Sequence, residues 1–192
     1  QAVEKIVPKF VVMENVRGML KVADQVVEDY KNLKTEKDGI EYTYDVSYEL
    51  LNSKDFSVAQ SRERLIYIAI RNDVIDSLNI SPDGIFKEIK EDCSDNLIFT
   101  LNDALMDIKP LEAQRIKNMN EVDDEKTGKK IDVNEFGLTN NPYLNLINEG
   151  RPIHYIFNHK SRYVNDINYE IYRRLNEGED ATNEKIADIM PY

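Results

Sequence analysis

Glu14 closes the apolar run Phe10-Val11-Val12-Met13, and Arg62 and Arg64 flank Glu63 where a second apolar run, Leu65 to Ile70, begins. A carboxyl group exchanges protons and a guanidinium offsets negative charge, so these types at strand ends can serve acid–base chemistry. Taken singly each has a plainer reading. Glu14 suits a solvent-facing carboxylate, and Arg62-Glu63-Arg64 suits an exposed, salt-bridged turn of little energetic weight. The one cysteine, Cys93, lies in the acidic stretch "EDCSD", which disfavours a thiolate. A single cysteine also excludes an internal disulfide framework and a four-cysteine zinc site, and His154 and His159 add little metal-binding capacity.

Those residues sit in a chain of 192 residues, 41% hydrophobic and 32% charged, long enough for one domain with a proper core or for one and a half. Nothing approaches the roughly 18 consecutive apolar residues of a membrane span, and the first residues carry no signal-peptide pattern. No membrane association is expected, and a cytoplasmic setting is the default. The net charge of −11 argues against a protein that simply coats nucleic acid. The segment Arg151 to Arg174 is a local exception, with five Lys and Arg against Asp166 and Glu170, a surplus of +3. Any contact with phosphate is expected there first.

The elements that must position these residues follow from periodicity. Phe10 to Met13 follows Pro8 and reads as a strand buried on both faces, as in a parallel sheet. Met19, Val22, Ala23, Val26, Val27, Tyr30 and Leu33 recur at helical spacing and predict an amphipathic helix packed on that sheet. Charged residues and Gly39 close it. Ile40 to Leu51 returns as a strand with Tyr42, Tyr44, Val46, Tyr48 and Leu50 alternating, which makes the tyrosines strand residues before any stacking platform. A polar turn through Asn52 to Asp55 leads to the strand Leu65 to Ile70. Beyond about residue 80 short helical signals take over. Thr100 to Asp103 can cap a helix running to about Ile108, Asn165 can start one with Ile167, Ile171, Tyr172 and Leu175 on one face, and Thr182 can cap a last short one. Arg173 and Arg174 fit a solvated helix face. Gly178 to Asp180 breaks the second helix. Glu121 to Lys130, with almost no apolar residue, predicts an exposed loop, mobile over about 119–135.

Three stretches together resemble the DNA cytosine-5 methyltransferases: "PKFVVMENVRGML" (8 to 20), "LLNSKDFSVAQSRERLIYIAIRND" (50 to 73) and "NHKSRYVNDINYEIYRRLNEG" (158 to 178). The first carries the family's Glu-Asn-Val strand end and the second its Gln-x-Arg-x-Arg motif. "TLNDALMDIKPL" (100 to 111) is similar to the linker that follows. Each motif alone is weak. Both at strand edges about 45 residues apart, with a helix and a strand between them, are specific.

The resemblance implies an α/β fold: a partial Rossmann-like methyltransferase sheet over residues 1–80, the second half of a catalytic domain. A mostly helical and irregular segment, 81–192, would link it to the start of a target-recognition region. In such enzymes a cysteine thiolate attacks C6 of cytosine, and C5 then takes a methyl group from S-adenosylmethionine. By resemblance Glu14 serves N3 of a flipped cytosine, with burial favouring its protonated form, and Arg64 serves the O2 side. Arg62 would brace the site, and Gln60 and Ser61 would shape the turn. Asn15 would hold either substrate or the backbone at the strand end. His159, Lys160 and Arg162 suit contacts to double-stranded DNA, although a surface helix start explains His159 and Arg162 nearly as well. The family's Pro-Cys nucleophile and its glycine-rich donor turn do not occur in this chain, and Cys93 is on the wrong side of the motif to replace the former. The chain is therefore expected to be a segment of a longer enzyme, inactive alone and completed by an N-terminal half. The alternatives are a non-catalytic or split subunit that binds a partner chain, an acidic competitor of DNA, and an RNA-directed relative.

Overall fold

A computed structural model describes residues 2–119, 122–132, 141–149 and 151–190. The chain divides into two compact units, Gln1–Ala104 and Leu105–Tyr192.

The first unit is built on a three-stranded sheet. Helix α1 (Ala2–Ile6) precedes strand β1 (Phe10–Val16), a 3₁₀ turn over Arg17–Val22 leads into α2 (Ala23–Lys31), and a small hairpin of β2 (Thr35–Lys37) and β3 (Ile40–Tyr42) follows. Long strands β4 (Tyr44–Asn52) and β5 (Glu63–Arg71) come next, then α3 (Asn72–Leu78), α4 (Pro82–Asp92) and α5 (Leu101–Leu105). The strand order is β1-β5-β4, antiparallel throughout. With both neighbours hydrogen-bonded, β5 is the central strand. Its alternate residues feed two different cores, which is why the run Leu65 to Ile70 has no polar face. Leu65 and Tyr67 pack with Ala23, Met13, Met19 and Val26 beneath α2, and Ala69 packs with Tyr44, Val46, Val27 and Tyr30. On the opposite face Ile68 and Ile70 meet Val74 of α3 and Ile85, Phe86 and Ile89 of α4. Helix α4 begins where Ser81 Oγ accepts the Gly84 N–H (3.0 Å) ahead of Pro82, a cap that suits its position.

Two expectations for this unit are corrected. The strand beginning at Phe10 is neither parallel to its neighbour nor buried on both faces. Among the described residues it pairs antiparallel with β5 alone, and Phe10, Val12 and Val16 stand 47%, 70% and 52% exposed. The register puts these residues on the α4 face, and α4 lies over β4 and β5, as the Lys90–Glu49 ion pair (2.6 Å) and the Ser47–Asp83 hydrogen bond show. Nothing in the described chain reaches across to cover β1. The strand expected over Ile40 to Leu51 is instead two, β3 and β4. The β2–β3 hairpin turns on Asp38 and Gly39, both left-handed (φ 55° and 78°), as a two-residue Asp-Gly turn requires. The helix predicted over 19–33 is α-helical only over Ala23–Lys31, with Arg17–Val22 a 3₁₀ turn; its apolar residues still face the sheet, with Val22 the exception at 42% exposed.

The second unit carries a short ribbon of β6 (Ile131–Asp132) and β7 (Tyr155–Ile156), with α6 (Pro142–Ile147) between them in sequence. Helix α7 (Asp166–Arg174) and a 3₁₀ turn over Glu184–Ile186 follow. Asn165 caps α7 as expected, accepting the Asn168 N–H (2.8 Å). Of the face expected to be apolar, Ile171 is buried, whereas Ile167 and Tyr172 are exposed. The final cap is made by Asn183, which accepts the Lys185 N–H (2.9 Å), and not by Thr182, whose hydroxyl donates to Asp180 (2.6 Å). Of the loop expected near 119–135, residues 120–121 and 133–135 lie outside the described residues. Residues 124–128 form a closed turn, with Asp124 and Gly128 exchanging backbone hydrogen bonds (3.0 and 2.9 Å).

Candidate functional site

The two halves of the candidate site come together across the β1–β5 ladder. Glu14 stands opposite Ile66 and Val16 opposite Arg64, so Glu14 and Arg64 are diagonal neighbours on one face of the sheet. The Arg64 Nε and Glu14 Oε1 atoms are 2.5 Å apart. Arg64 is the more enclosed partner, 24% exposed against 56% for Glu14, so the burial expected of Glu14 is not present in this chain. The Arg64 Nη1 also donates to the Glu63 carbonyl (2.8 Å).

Glu63 itself does not bridge to the arginines on either side of it. Its carboxylate takes Arg17, just past the end of β1 (2.6 Å), which leaves Arg64 to Glu14. The charges that looked like a salt-bridged turn are two cross-strand pairs. The Arg62 guanidinium has no hydrogen bond or ion pair among the described residues, and only the Arg62 backbone is held.

The hold on that backbone comes from a residue not singled out by chemistry in the sequence. Asn52, at the end of β4, accepts the N–H groups of Lys54 (3.2 Å) and Arg62 (3.1 Å) on Oδ1, and its Nδ2 donates to Ser61 Oγ (3.1 Å). Ser53 completes the clamp: its N–H donates to the Arg62 carbonyl (3.0 Å) and its hydroxyl to the Gln60 carbonyl (2.5 Å). An Asn-Ser pair at a strand end is a local signal for side-chain-to-backbone bonding and marks this clamp in the sequence. Gln60 and Ser61 thus lie in a pinned loop that delivers the chain into β5. A groove of about 490 Å³ runs beside them, lined also by Lys54, Ala59 and Ile98 to Leu101. Neither Glu14 nor Arg64 lines it. Asn15 is half-buried, and its Oδ1 accepts the Val16 N–H (2.9 Å), a local hold on the strand end.

His159, Lys160 and Arg162 belong to the second unit. His159 Nε2 donates to the Lys109 carbonyl (2.6 Å), and Lys160 Nζ lies 2.5 Å from Asp123. Gly128 is pressed against them at φ 121°, where a Cβ would come 2.2 Å from the His159 carbonyl oxygen. These contacts fix a turn. Arg162 is exposed, with no ion pair among the described residues.

A site for S-adenosylmethionine needs a glycine-rich turn from strand into helix. The residues present do not fit one. The turn after β1 carries a single glycine, Gly18, with open space where its side chain would be, and the turn after β5 is Arg71-Asn72. Cys93 caps the C-terminal end of α4 and is half-buried. Among the described residues no group of His, Cys, Asp and Glu is arranged to hold a metal ion, and no helix is long and apolar enough to cross a membrane.

With a mixed α/β sheet unit and this strand-edge pair on view, comparison with known proteins defines the class. The model of the C-5 cytosine-specific DNA methylase family matches residues 1–189, and the chain belongs to that family. It is 36% identical over 106 residues to the type II methyltransferase M.Eco47II of Escherichia coli, covering 55% of this chain and 22% of that protein. It is 36% identical over 102 residues to the type II methyltransferase M.NgoPII of Neisseria gonorrhoeae (53% and 27%). It is also 40% identical over 70 residues to the orphan methyltransferase M.SPBetaI of Bacillus phage SPbeta (36% and 15%). The chain spans less than a third of the length of each of these relatives.

Proposed function

We propose that this chain is the base-holding part of a DNA cytosine-5 methyltransferase that transfers a methyl group from S-adenosylmethionine to C5 of a cytosine flipped out of duplex DNA. The observation that carries the reading is the Glu14–Arg64 pair, an acid and a guanidinium meeting on one sheet face from two strands. A cytosine ring offers N3 and O2 on adjacent positions. When the base arrives, Glu14 turns from Arg64 to N3, and Arg64 turns to O2, where negative charge builds as C6 is attacked. Arg62, held by its backbone, braces this edge, and Gln60 and Ser61 shape the loop beneath it. Asn15 keeps the strand end in place.

Nucleophile and donor site come from outside the chain, so the chain alone is inactive. Its partner is the N-terminal half of the catalytic domain, which completes the Rossmann-like sheet. The outer edge of β1, unpaired among the described residues, and the exposed Phe10, Val12 and Val16 support that placement. The test is reconstitution. The chain is mixed with a polypeptide carrying the family's Pro-Cys and glycine-rich turn, and transfer of labelled methyl to duplex DNA is measured. Activity is expected only in the mixture, with Glu14→Gln lowering it at least 100-fold. Transfer by the chain alone, or full activity of the Glu14→Gln mixture, would sink the reading. The same edge favours a second reading, a non-catalytic subunit that binds a partner chain. In that case the two polypeptides associate and no methyl group moves.

A further inference from the structure

The second unit carries a surface that the base pocket does not use. On the β6–β7 ribbon Asp132 stands opposite Tyr155 and Ile131 opposite Ile156, which places Lys130 beside Phe157. The Lys130 Nζ lies 3.7 Å from the centre of the Tyr155 ring and 5.2 Å from that of Phe157, and the two rings meet edge-to-face at 5.9 Å. Tyr155 is 43% exposed and Phe157 62%. A core cluster would hide these rings, whereas here they stand at the surface with a cation over them. From Arg151 to Asn165 the sequence has no acidic residue and includes Arg151, Lys160 and Arg162, in a chain whose net charge is −11. Asp132 is the acid of the ribbon among the described residues, directly across from Tyr155. Gly128 pressed on the His159–Lys160 backbone, and the Ser161 N–H donating to the Thr127 carbonyl (2.8 Å), keep the two sides of the ribbon together.

We infer that Lys130, Tyr155 and Phe157 form a binding strip for an unpaired nucleotide of DNA. The rings take the base or sugar by stacking, and Lys130 swings from the Tyr155 ring to the adjacent phosphate. Every base has a π-face, so the strip is indifferent to sequence and selects for strand opening. The choice of DNA rests on the proposed function; the strip itself rests on the ribbon.

The test is fluorescence anisotropy of the whole chain with three labelled probes: a paired duplex, the same duplex with a two-nucleotide bulge, and a single strand. The bulged and single-stranded probes are expected to bind at least fivefold tighter than the paired one. Phe157→Ala is expected to weaken them about tenfold, in line with the loss of one base-stacking contact. Lys130→Met is expected to flatten the salt dependence of single-strand binding by about one phosphate contact. Phe157 is exposed, so an unchanged melting curve shows that its loss has not unfolded the chain. Equal affinity of Phe157→Ala and the parent chain, or absence of binding to every probe, overturns the proposal. Failure of the strip is read in the probe affinity of Phe157→Ala, and failure of the base pocket in methyl transfer by the reconstituted Glu14→Gln enzyme, so the two appear in different variants.

Discussion

Arg64 has two possible partners, and which one it holds decides what its loss does. Against Glu14, which is more than half exposed, the pair contributes no more than about 1 kcal/mol, as partly solvated ion pairs do. Arg64→Ala is therefore expected to lower the melting temperature of the chain by no more than about 2–4 °C in a thermal scan. In the reconstituted enzyme the same change removes the donor at O2, and kcat is expected to fall 100- to 1,000-fold. A large loss of stability with little loss of rate would place Arg64 in the scaffold instead. Tyr67 makes the opposite case. It is 2% exposed, its ring centre lies 5.5 Å from that of Tyr48, and its buried hydroxyl has no hydrogen-bond partner among the described residues. Tyr67→Phe removes an unpaired polar atom and keeps the ring, so chemical denaturation is expected to show a variant at least as stable as the parent, by up to about 1 kcal/mol.

At the scale of elements, the loop between β4 and β5 depends on Asn52. Asn52→Ala deletes an acceptor for two backbone N–H groups and a donor to Ser61, and is expected to cost about 1–2 kcal/mol. Hydrogen exchange at the Lys54 and Arg62 amides is expected to quicken, with Asn52→Asp retaining their protection. The elements themselves differ in how far the sequence revealed them. The central strand was plain from its unbroken apolar run, and α2 from its spacing of three and four. The Glu14 and Arg64 positions were visible as motifs, yet their direct pairing was not, because it depends on the antiparallel register. The apolar run at Phe10 misled for a related reason. Composition records which residues favour burial, and exposure at β1 is set by which helix happens to lie above it. In the second unit the Asn165 cap was readable, the last cap falls on Asn183 and not on Thr182, and the ribbon was not legible, since two residues per strand carry no periodicity.

Across the whole molecule, charge is spent differently in the two units. In the second, Glu170 is held down from the ordinary 4.5 to about 2 by hydrogen bonds from Arg173 and Arg174. Glu179 is likewise held at about 2, by the Asn176 N–H and then Lys185. Groups depressed in the folded state contribute stability that is fully present above about pH 4.5 and is lost as pH falls towards about 2. An acid titration followed by the near-ultraviolet signal of Tyr169 and Tyr172 is expected to show that unit loosening in this window, and Glu170→Gln is expected to flatten the response. In the first unit Arg71 is buried, with Asp73 on two of its nitrogens and the Val7 carbonyl on the third. Arg71→Lys cannot match that fork and is expected to lower the unfolding free energy by about 2 kcal/mol. The sheet these contacts serve also has an order of assembly. Residues paired between β4 and β5 are as few as 11 apart in the chain, whereas those paired between β1 and β5 are 48 to 60 apart. Closing the longer loop costs about 1 kcal/mol more in chain entropy, so the β4–β5 hairpin forms early and β1 zips on late. Arg64 is in place from the first of these steps and Glu14 only from the second, so the pair becomes a molecular signature that the last strand has arrived.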